Sequence, residues 1–306
     1  MKLFSLDHPN FEMKSLGSAY DLESKKEKII SSFKKIIIFI SPELINRNDL
    51  QLVHNKNYID DLFSKKLKEI IDEVFEFNKY LSYSISDQIA QHIHKRMLQE
   101  VSAVFYVARE SAINKHDSFY IGGGMHHAES SRGMGFCLYA DLAITINKLR
   151  LENLIQKVAI IDVDAHFGNG NAEIFSKDQS VETLSIHMKR GWPLDSKNEL
   201  AKSDIDIEID QNEEDRYLNK LEVGLNKISK DITIAFIVQG ADPYEKDELE
   251  GTNLLKLSQK QMLDRDKLVF NFFKKLNVTQ VYVMGGGYGQ YAHEPYVYFL
   301  NFVSIS

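Results

Sequence analysis

Residues 158–170 read VAIIDVDAHFGNG, and their character changes midway. The run Val158–Val163 is apolar without alternation until Asp162. That pattern marks a strand covered on both faces, as in a parallel sheet, rather than a half-exposed strand. Asp162, Asp164 and His166 then occupy alternate positions, followed by Gly168 and Gly170. In extended chain, alternate residues share a face, so two carboxylates and an imidazole emerge together where the strand ends.

Outward from this stretch the same grammar recurs. Short apolar runs lie at Phe119–Gly122, Thr183–Ile186, Ile232–Val238 and Val281–Met284. Between them, apolar residues at helical spacing predict helices over Phe136–Leu154, Asp215–Ser229 and Ser258–Leu276. The first third reads as helical, over Ser24–Phe33, Tyr58–Tyr80 and Ser86–Ile113. Buried strands alternating with helices predict an α/β fold: three αβα layers around a central, mostly parallel sheet. No repeat, low-complexity segment or Gly/Pro/Ser-rich linker divides the chain, so residues 1–306 are expected to form a single domain.

Ligands of such sheets bind beyond the carboxyl ends of the strands. There the sequence places Gly122-Gly123-Gly124-Met125-His126-His127, the Asp162–Gly170 segment, Gln239-Gly240-Ala241-Asp242 and Gly285-Gly286-Gly287-Tyr288. One carboxylate and one imidazole of the Asp-x-Asp-x-His stretch, joined by Asp242, form a mixed N/O set that zinc accepts with a position left for water. A polar cluster satisfied by internal hydrogen bonds is the alternative; the concentration of further reactive groups at neighbouring strand ends favours metal. His126 and His127, adjacent in a turn, suit general acid–base work. Gly122–Gly124 lacks the spacing of a dinucleotide loop. A phenol such as Tyr288 near a metal can donate to an oxyanion; with 14 tyrosines in the chain, simple packing is the competing reading.

Composition bounds the partners. Lys and Arg number 37 against 44 Asp and Glu, a net charge of −7 that disfavours nucleic acid and is compatible with lysine-rich peptides. Cys137 is the only cysteine, which precludes an intrachain disulfide and suits a reducing compartment. The N-terminal MKLFSLDHPNFEM lacks the apolar core of a signal peptide, and the longest aliphatic/aromatic run, Ile36–Ile40, is far short of a membrane span. The expected location is cytoplasmic, and the lysine clusters at 25–28 and 65–68 are expected to be solvated helix faces. His92 and His94 are expected at the surface, and the aromatic tail Tyr288–Phe302 in the core.

Five segments together carry a family resemblance: GGGMHHAESSRGMGFCLYADLAI (122–144), IIDVDAHFGNGNAEIF (160–175), GADPYEKDELEG (240–251), LSQKQMLDRDKLVF (257–270) and GGGYG (285–289). The chain from about Leu50, with LQLVHNKNYIDDL, to about Tyr291 resembles the zinc-dependent histone deacetylases and their bacterial relatives. The wording around AESSRGMGFCLYAD and DAHFGNG is most similar to class IV. Residues 1–45 match poorly, and Ala19-Tyr20 stands where many members carry His-Pro.

The resemblance implies an arginase/deacetylase-like fold and a zinc-dependent hydrolase that removes acetyl or long-chain fatty acyl groups from lysine side chains. It implies one zinc ion, held by Asp164, His166 and Asp242. It makes His127 the general base and then acid, His126 its electrostatic partner, Tyr288 the carbonyl-polarising group and Asp162 the carboxylate behind His126. It places Gly135 and Phe136 on one wall of an acyl-lysine tunnel and Trp192 opposite, and a monovalent cation such as K⁺ at Asp162 and Ser185. Behind His127 stands Asn169, where class I members have aspartate; a neutral amide stabilises an imidazolium less.

Other readings stay in play: an amidohydrolase of acetylpolyamines or other small molecules, and a catalytically weak domain that binds acyl-lysine. Binuclear manganese ureohydrolases resembling arginase share the architecture, but Gly168 and Tyr244 occupy the positions where a second metal needs carboxylates. Oligomeric state is not encoded in any of these features.

Overall fold

A computed structural model describes residues 1–7, 22–34, 36–80, 84–194 and 200–305. In chain order the elements are β1 (Lys2–Leu6), α1 (Leu22–Phe33), β2 (Ile37–Ile40), α2 (Arg47–Leu50), α3 (Lys56–Leu62), α4 (Leu67–Val74), α5 (Phe77–Tyr80) and α6 (Asp87–Asn114). There follow β3 (Ser118–Tyr120), α7 (Asp141–Leu151), β4 (Val158–Asp162), α8 (Asn169–Phe175), β5 (Val181–Met188) and β6 (Ile205–Ile209). The chain ends with α9 (Tyr217–Leu225), β7 (Ile234–Val238), α10 (Gln259–Lys275), β8 (Thr279–Val283) and α11 (Glu294–Ile305).

The strands form one eight-stranded sheet in the order β2-β1-β3-β8-β7-β4-β5-β6. Every pairing in it is parallel. This is the predicted architecture. Alternate strand residues feed two cores. Ile160, Phe236 and Val281 pack with α4, α6 and α7, whereas Ile161, Ile237 and Tyr282 pack with α1, α9, α10 and α11. Both faces of the central sheet are therefore dry, which is why β4 and β7 read as apolar runs.

Local chemistry sets the helix limits. The Ser86 side chain accepts from Ile89 N to open α6, and Lys115 closes that helix in the left-handed region at φ 52°. Ser258 and Gln261 form a reciprocal capping box on α10. The predicted helix Tyr58–Tyr80 is three helices instead. Ser64 accepts from Lys66 N where α3 ends, and Glu76 takes φ 52° after α4. Both are local events that a smooth apolar period conceals.

Three strands escaped the sequence pattern. β1 and β2 lie in the segment read as helical, and β2 is an edge strand with Ile38 and Phe39 exposed. β6, IDIEI, alternates polar and apolar residues at the opposite edge. The tail is core only in part: Tyr296, Phe299 and Leu300 of α11 are buried as expected, whereas Tyr291 is 37% exposed and Tyr288 lines a cavity. His94 is not at the surface; it is 8% exposed, its Nε2 2.5 Å from the Tyr139 hydroxyl, because it packs between Phe63 at the end of α3 and Tyr139 before α7. Among the described residues, no helix is long and apolar enough to cross a membrane. Ala19 and Tyr20 lie outside the described residues.

Candidate active site

The sheet order explains the site. β3, β8, β7 and β4 are consecutive neighbours, so the segments after Tyr120, Val283, Val238 and Asp162 meet at one edge. Register holds them level: Asp162 pairs with Val238, and Val238 with Val283. Residues more than 160 positions apart thus become adjacent.

At the centre, Asp164, His166 and Asp242 are all buried and present ligand atoms within 4.8 Å of one another. His166 Nδ1 lies 2.8 Å from Asp242 Oδ2 and 3.1 Å from Asp164 Oδ1. The remaining oxygens are anchored: Gly286 N donates to Asp164 Oδ2 at 2.7 Å, and Ala165 N to Asp242 Oδ1 at 2.9 Å. Burial and the charge of Asp164 push Asp242 up to about 7. Burial lowers the basicity of His166, but hydrogen bonds to Asp164 and Asp242 outweigh it and raise it to about 10. Two dry carboxylates and a ring nitrogen converging on one point are the environment that a cation relieves. The donor set fits a divalent metal.

Beside it stand the paired histidines. Asp141, the first residue of α7, accepts from Gly124 N at 2.7 Å and Met125 N at 3.0 Å, and Gly170 N donates to the His126 carbonyl. The turn is thus clamped from two sides, and the rings sit 3.8 Å apart. Their partners differ in charge. His126 Nδ1 is 2.6 Å from Asp162 Oδ2, while His127 Nδ1 is 2.7 Å from Asn169 Oδ1. Burial works against protonation of His126, yet the charges of Asp162 and Asp164 raise it to about 9. Burial and the nearby cationic rings of His126 and His166 hold His127 well below the ordinary histidine range.

Gly135, Phe136 and Trp192 gather around His127. The indole meets the imidazole edge-on at 4.6 Å. Gly135 has φ 56°, and a Cβ there would lie 2.3 Å from Trp192 and 2.8 Å from His127, so only glycine lets the three surfaces approach. Phe136 packs 6.1 Å from Tyr288, whose phenol is held protonated by burial and by the charges of Asp242 and Asp164. One cavity joins His126, His127, Gly135, Phe136 and Tyr288.

The expected site residues therefore assemble, with one exception in chemistry. Asp162 and Ser185 are neighbours across β4–β5. However, Asp162 accepts from Asp164 N and contacts His126, while Ser185 Oγ contacts Gly168 N and His187 Nδ1. These bonds account for both groups, so the arrangement lends the K⁺ expectation no support.

The lysine cluster on α1 is corrected. Lys25 and Lys26 are buried, not solvated. Lys25 Nζ donates to Gly287 O at 3.0 Å, and Lys26 Nζ pairs with buried Glu100 at 2.5 Å. Irregular loops leave carbonyls without partners, and α1 supplies the donors. Sequence reasoning also missed Asp141 and Glu100, which accepts from Gly123 N. Glu100 sits mid-pattern in α6 and Asp141 opens α7, and nothing local shows that either acts on the turn at 123–125.

The family described as "Histone deacetylase domain" matches residues 13–298. Histone deacetylase 2 of Arabidopsis thaliana is 30% identical over 255 residues, 81% of this chain and 63% of the plant protein. The acetoin utilization protein AcuC of Staphylococcus aureus (strain MW2) is 33% identical over 149 residues, 48% of this chain and 38% of AcuC. The chain thus spans less than two thirds of the length of either relative. Among solved structures, the HDA15 HD domain superposes with a TM-score of 0.73 at 18% identity, covering 99% of this chain and 88% of that one. An HDAC homolog from Aquifex aeolicus superposes with a TM-score of 0.72 at 21% identity, covering 99% and 83%. With the match running over nearly its whole length, the chain belongs to the histone deacetylase domain family.

Proposed function

We propose that the chain is a zinc-dependent hydrolase of acyl-lysine side-chain amides, and that residues 1–306 form one catalytic domain around the single sheet. The observation that carries the reading is the buried Asp164–His166–Asp242 cluster beside two histidines whose hydrogen-bond partners differ in charge. Zinc held by these three residues would supply Lewis-acid polarisation of the amide carbonyl and acidify water for attack.

The chain's own residues do the rest. His127, kept neutral by burial, takes a proton from the attacking water and returns it to the departing lysine amine. His126, made basic by Asp162, keeps a positive charge beside the developing negative one. Tyr288 donates its hydroxyl proton in a hydrogen bond to the oxyanion. Gly135, Phe136 and Trp192 enclose the lysine methylenes and exclude water. The same cavity is lined by Phe75, Met97, Met125 and Met284, which would receive the acyl group, and by the charged Lys25, Lys26, Arg96 and Glu100. The lone buried Cys137 suits a cytoplasmic setting.

The test is hydrolysis of lysine peptides carrying acyl groups of increasing length, with an acetylated polyamine in parallel and zinc measured on the same samples. Zinc-dependent peptide turnover is expected. Turnover confined to the polyamine would redirect the substrate, and zinc-loaded protein inert on every substrate would leave only a binding role.

A further inference from the structure

The segment after the metal-site residue Asp242 also grips the loop that presents Tyr288. That loop, residues 284–290, has no regular secondary structure and is rich in glycine, so its own torsions do not aim the phenol. Lys25 and Asp164 hold its 286–287 stretch, and from Tyr288 onward its backbone amides are bound by Asp247 and Glu248. Tyr288 N donates to Asp247 Oδ2 at 2.7 Å, Gln290 N donates to Glu248 Oε1 at 2.9 Å, and Glu248 N reaches Tyr288 O at 3.4 Å.

Asp247 is itself held. Its Oδ1 accepts from Leu249 N and from Thr252 Oγ1, both at 3.0 Å, and its amide donates to Tyr244 O at 2.8 Å. The side chain is buried, with both oxygens committed. One oxygen is fixed to the 249–252 turn and the other to the amide of the tyrosine. A carboxylate is suited to this bridge because every partner is a donor.

We infer that Asp247 is a positioning residue for Tyr288, tying the phenol's height above the site to the loop that runs on from Asp242 into the 249–252 turn. The inference rests on the role of Tyr288 proposed above. Asparagine cannot replace the carboxylate, since its NH₂ must face either Tyr288 N or the Leu249 and Thr252 donors. Displacing a reacting group by about 1 Å can cost about 100-fold in rate.

The experiment is a double-mutant cycle on zinc-loaded protein with acetyl-lysine and myristoyl-lysine peptides: wild type, Asp247→Asn, Tyr288→Phe and the double variant. Asp247→Asn is expected to lower kcat roughly 10- to 100-fold, with KM and zinc content nearly unchanged. In the Tyr288→Phe background the same change should cost less than about twofold, because the group being positioned is gone. Equal losses in both backgrounds, or no loss in either, would overturn the inference while leaving the role of Tyr288 intact. Full turnover by Tyr288→Phe, or none by the wild type, would overturn the functional reading and this inference with it. Should Asp247→Asn not fold, Thr252→Val removes one hydrogen bond to Asp247. It should cost about 2- to 10-fold, again only where Tyr288 is present; equal losses refute the inference here too.

Discussion

Substituting Asn169→Asp tests how the base is tuned. His126 and His127 are similarly buried and similarly hydrogen-bonded but have a carboxylate behind one and an amide behind the other; Asp164 also raises His126, and the rings of His126 and His166 also lower His127. His126 is raised to about 9 and His127 is held well below the ordinary range. An ion pair with charge centres about 4 Å apart is worth about 4 kcal/mol at an effective dielectric near 20, or about 3 pKa units. The substitution does not deliver all of this. Asn169 Nδ2 donates to Glu129 Oε1 at 2.9 Å, so a carboxylate there meets a like charge that Arg132, 2.8 Å from Glu129, offsets only in part. Part of the new charge is lost to a shared proton, and the expected rise in the His127 pKa is about 1 unit.

The assay is kcat/KM from about pH 5 to pH 9, which reports the free enzyme's base. A higher base pKa moves the acidic limb upward by about 1 unit, with a tenfold loss well below the limb and no change on the plateau. Adding Glu129→Gln removes the repulsion, and the displacement should grow to about 2 or 3 units. An acidic limb that stays put in both variants would refute the assignment of His127 as the base tuned by residue 169.

Four further outcomes are expected. Tyr288→Phe should lower kcat about 100- to 1000-fold with zinc content unchanged, the cost of one oxyanion donor; wild-type turnover would remove the hydroxyl from the mechanism. Asp242→Asn should bind zinc at least about 10-fold more weakly in a chelator competition, since one of two anionic donors is lost; equal affinity would dissolve the proposed metal site. Gly135→Ala, with a Cβ 2.3 Å from Trp192, should raise KM and lower kcat together, and unchanged kinetics would place substrate elsewhere. Burial lowers His54 and His94 to about 4. With folded values below the unfolded 6.5, their stabilisation is complete above about pH 6.5 and fades as pH falls to about 4, by about 3 kcal/mol each. Protonated His54 cannot accept from Ala140 N. Tm that stays constant from pH 7 to about pH 4 would contradict this.

Much of the fold was legible because dry parallel strands need apolar residues on both faces, and β3, β4, β7 and β8 carry them, whereas β5 (VETLSIHM) buries Thr183, Ser185 and His187 along one face. Edge strands escape that demand: β2 exposes Ile38 and Phe39, and β6 alternates. Helix breaks at Ser64 and Glu76 were hidden because one hydrogen bond or one torsion ends a helix without disturbing the apolar period.

The reactive groups were legible for the same kind of reason. Chemistry limits which side chains bind metal or move protons, and strand ends limit where they stand, so Asp164, His166, Asp242, His126, His127 and Tyr288 could be listed from the sequence alone. Only the tertiary structure placed β8 between β3 and β7 and buried Lys25 against the tyrosine loop. It alone turned Asp141 and Asp247 toward backbone amides up to 41 residues away. Those contacts follow from sheet order and from unpaired backbone groups in irregular loops, and neither leaves a periodic trace along the chain.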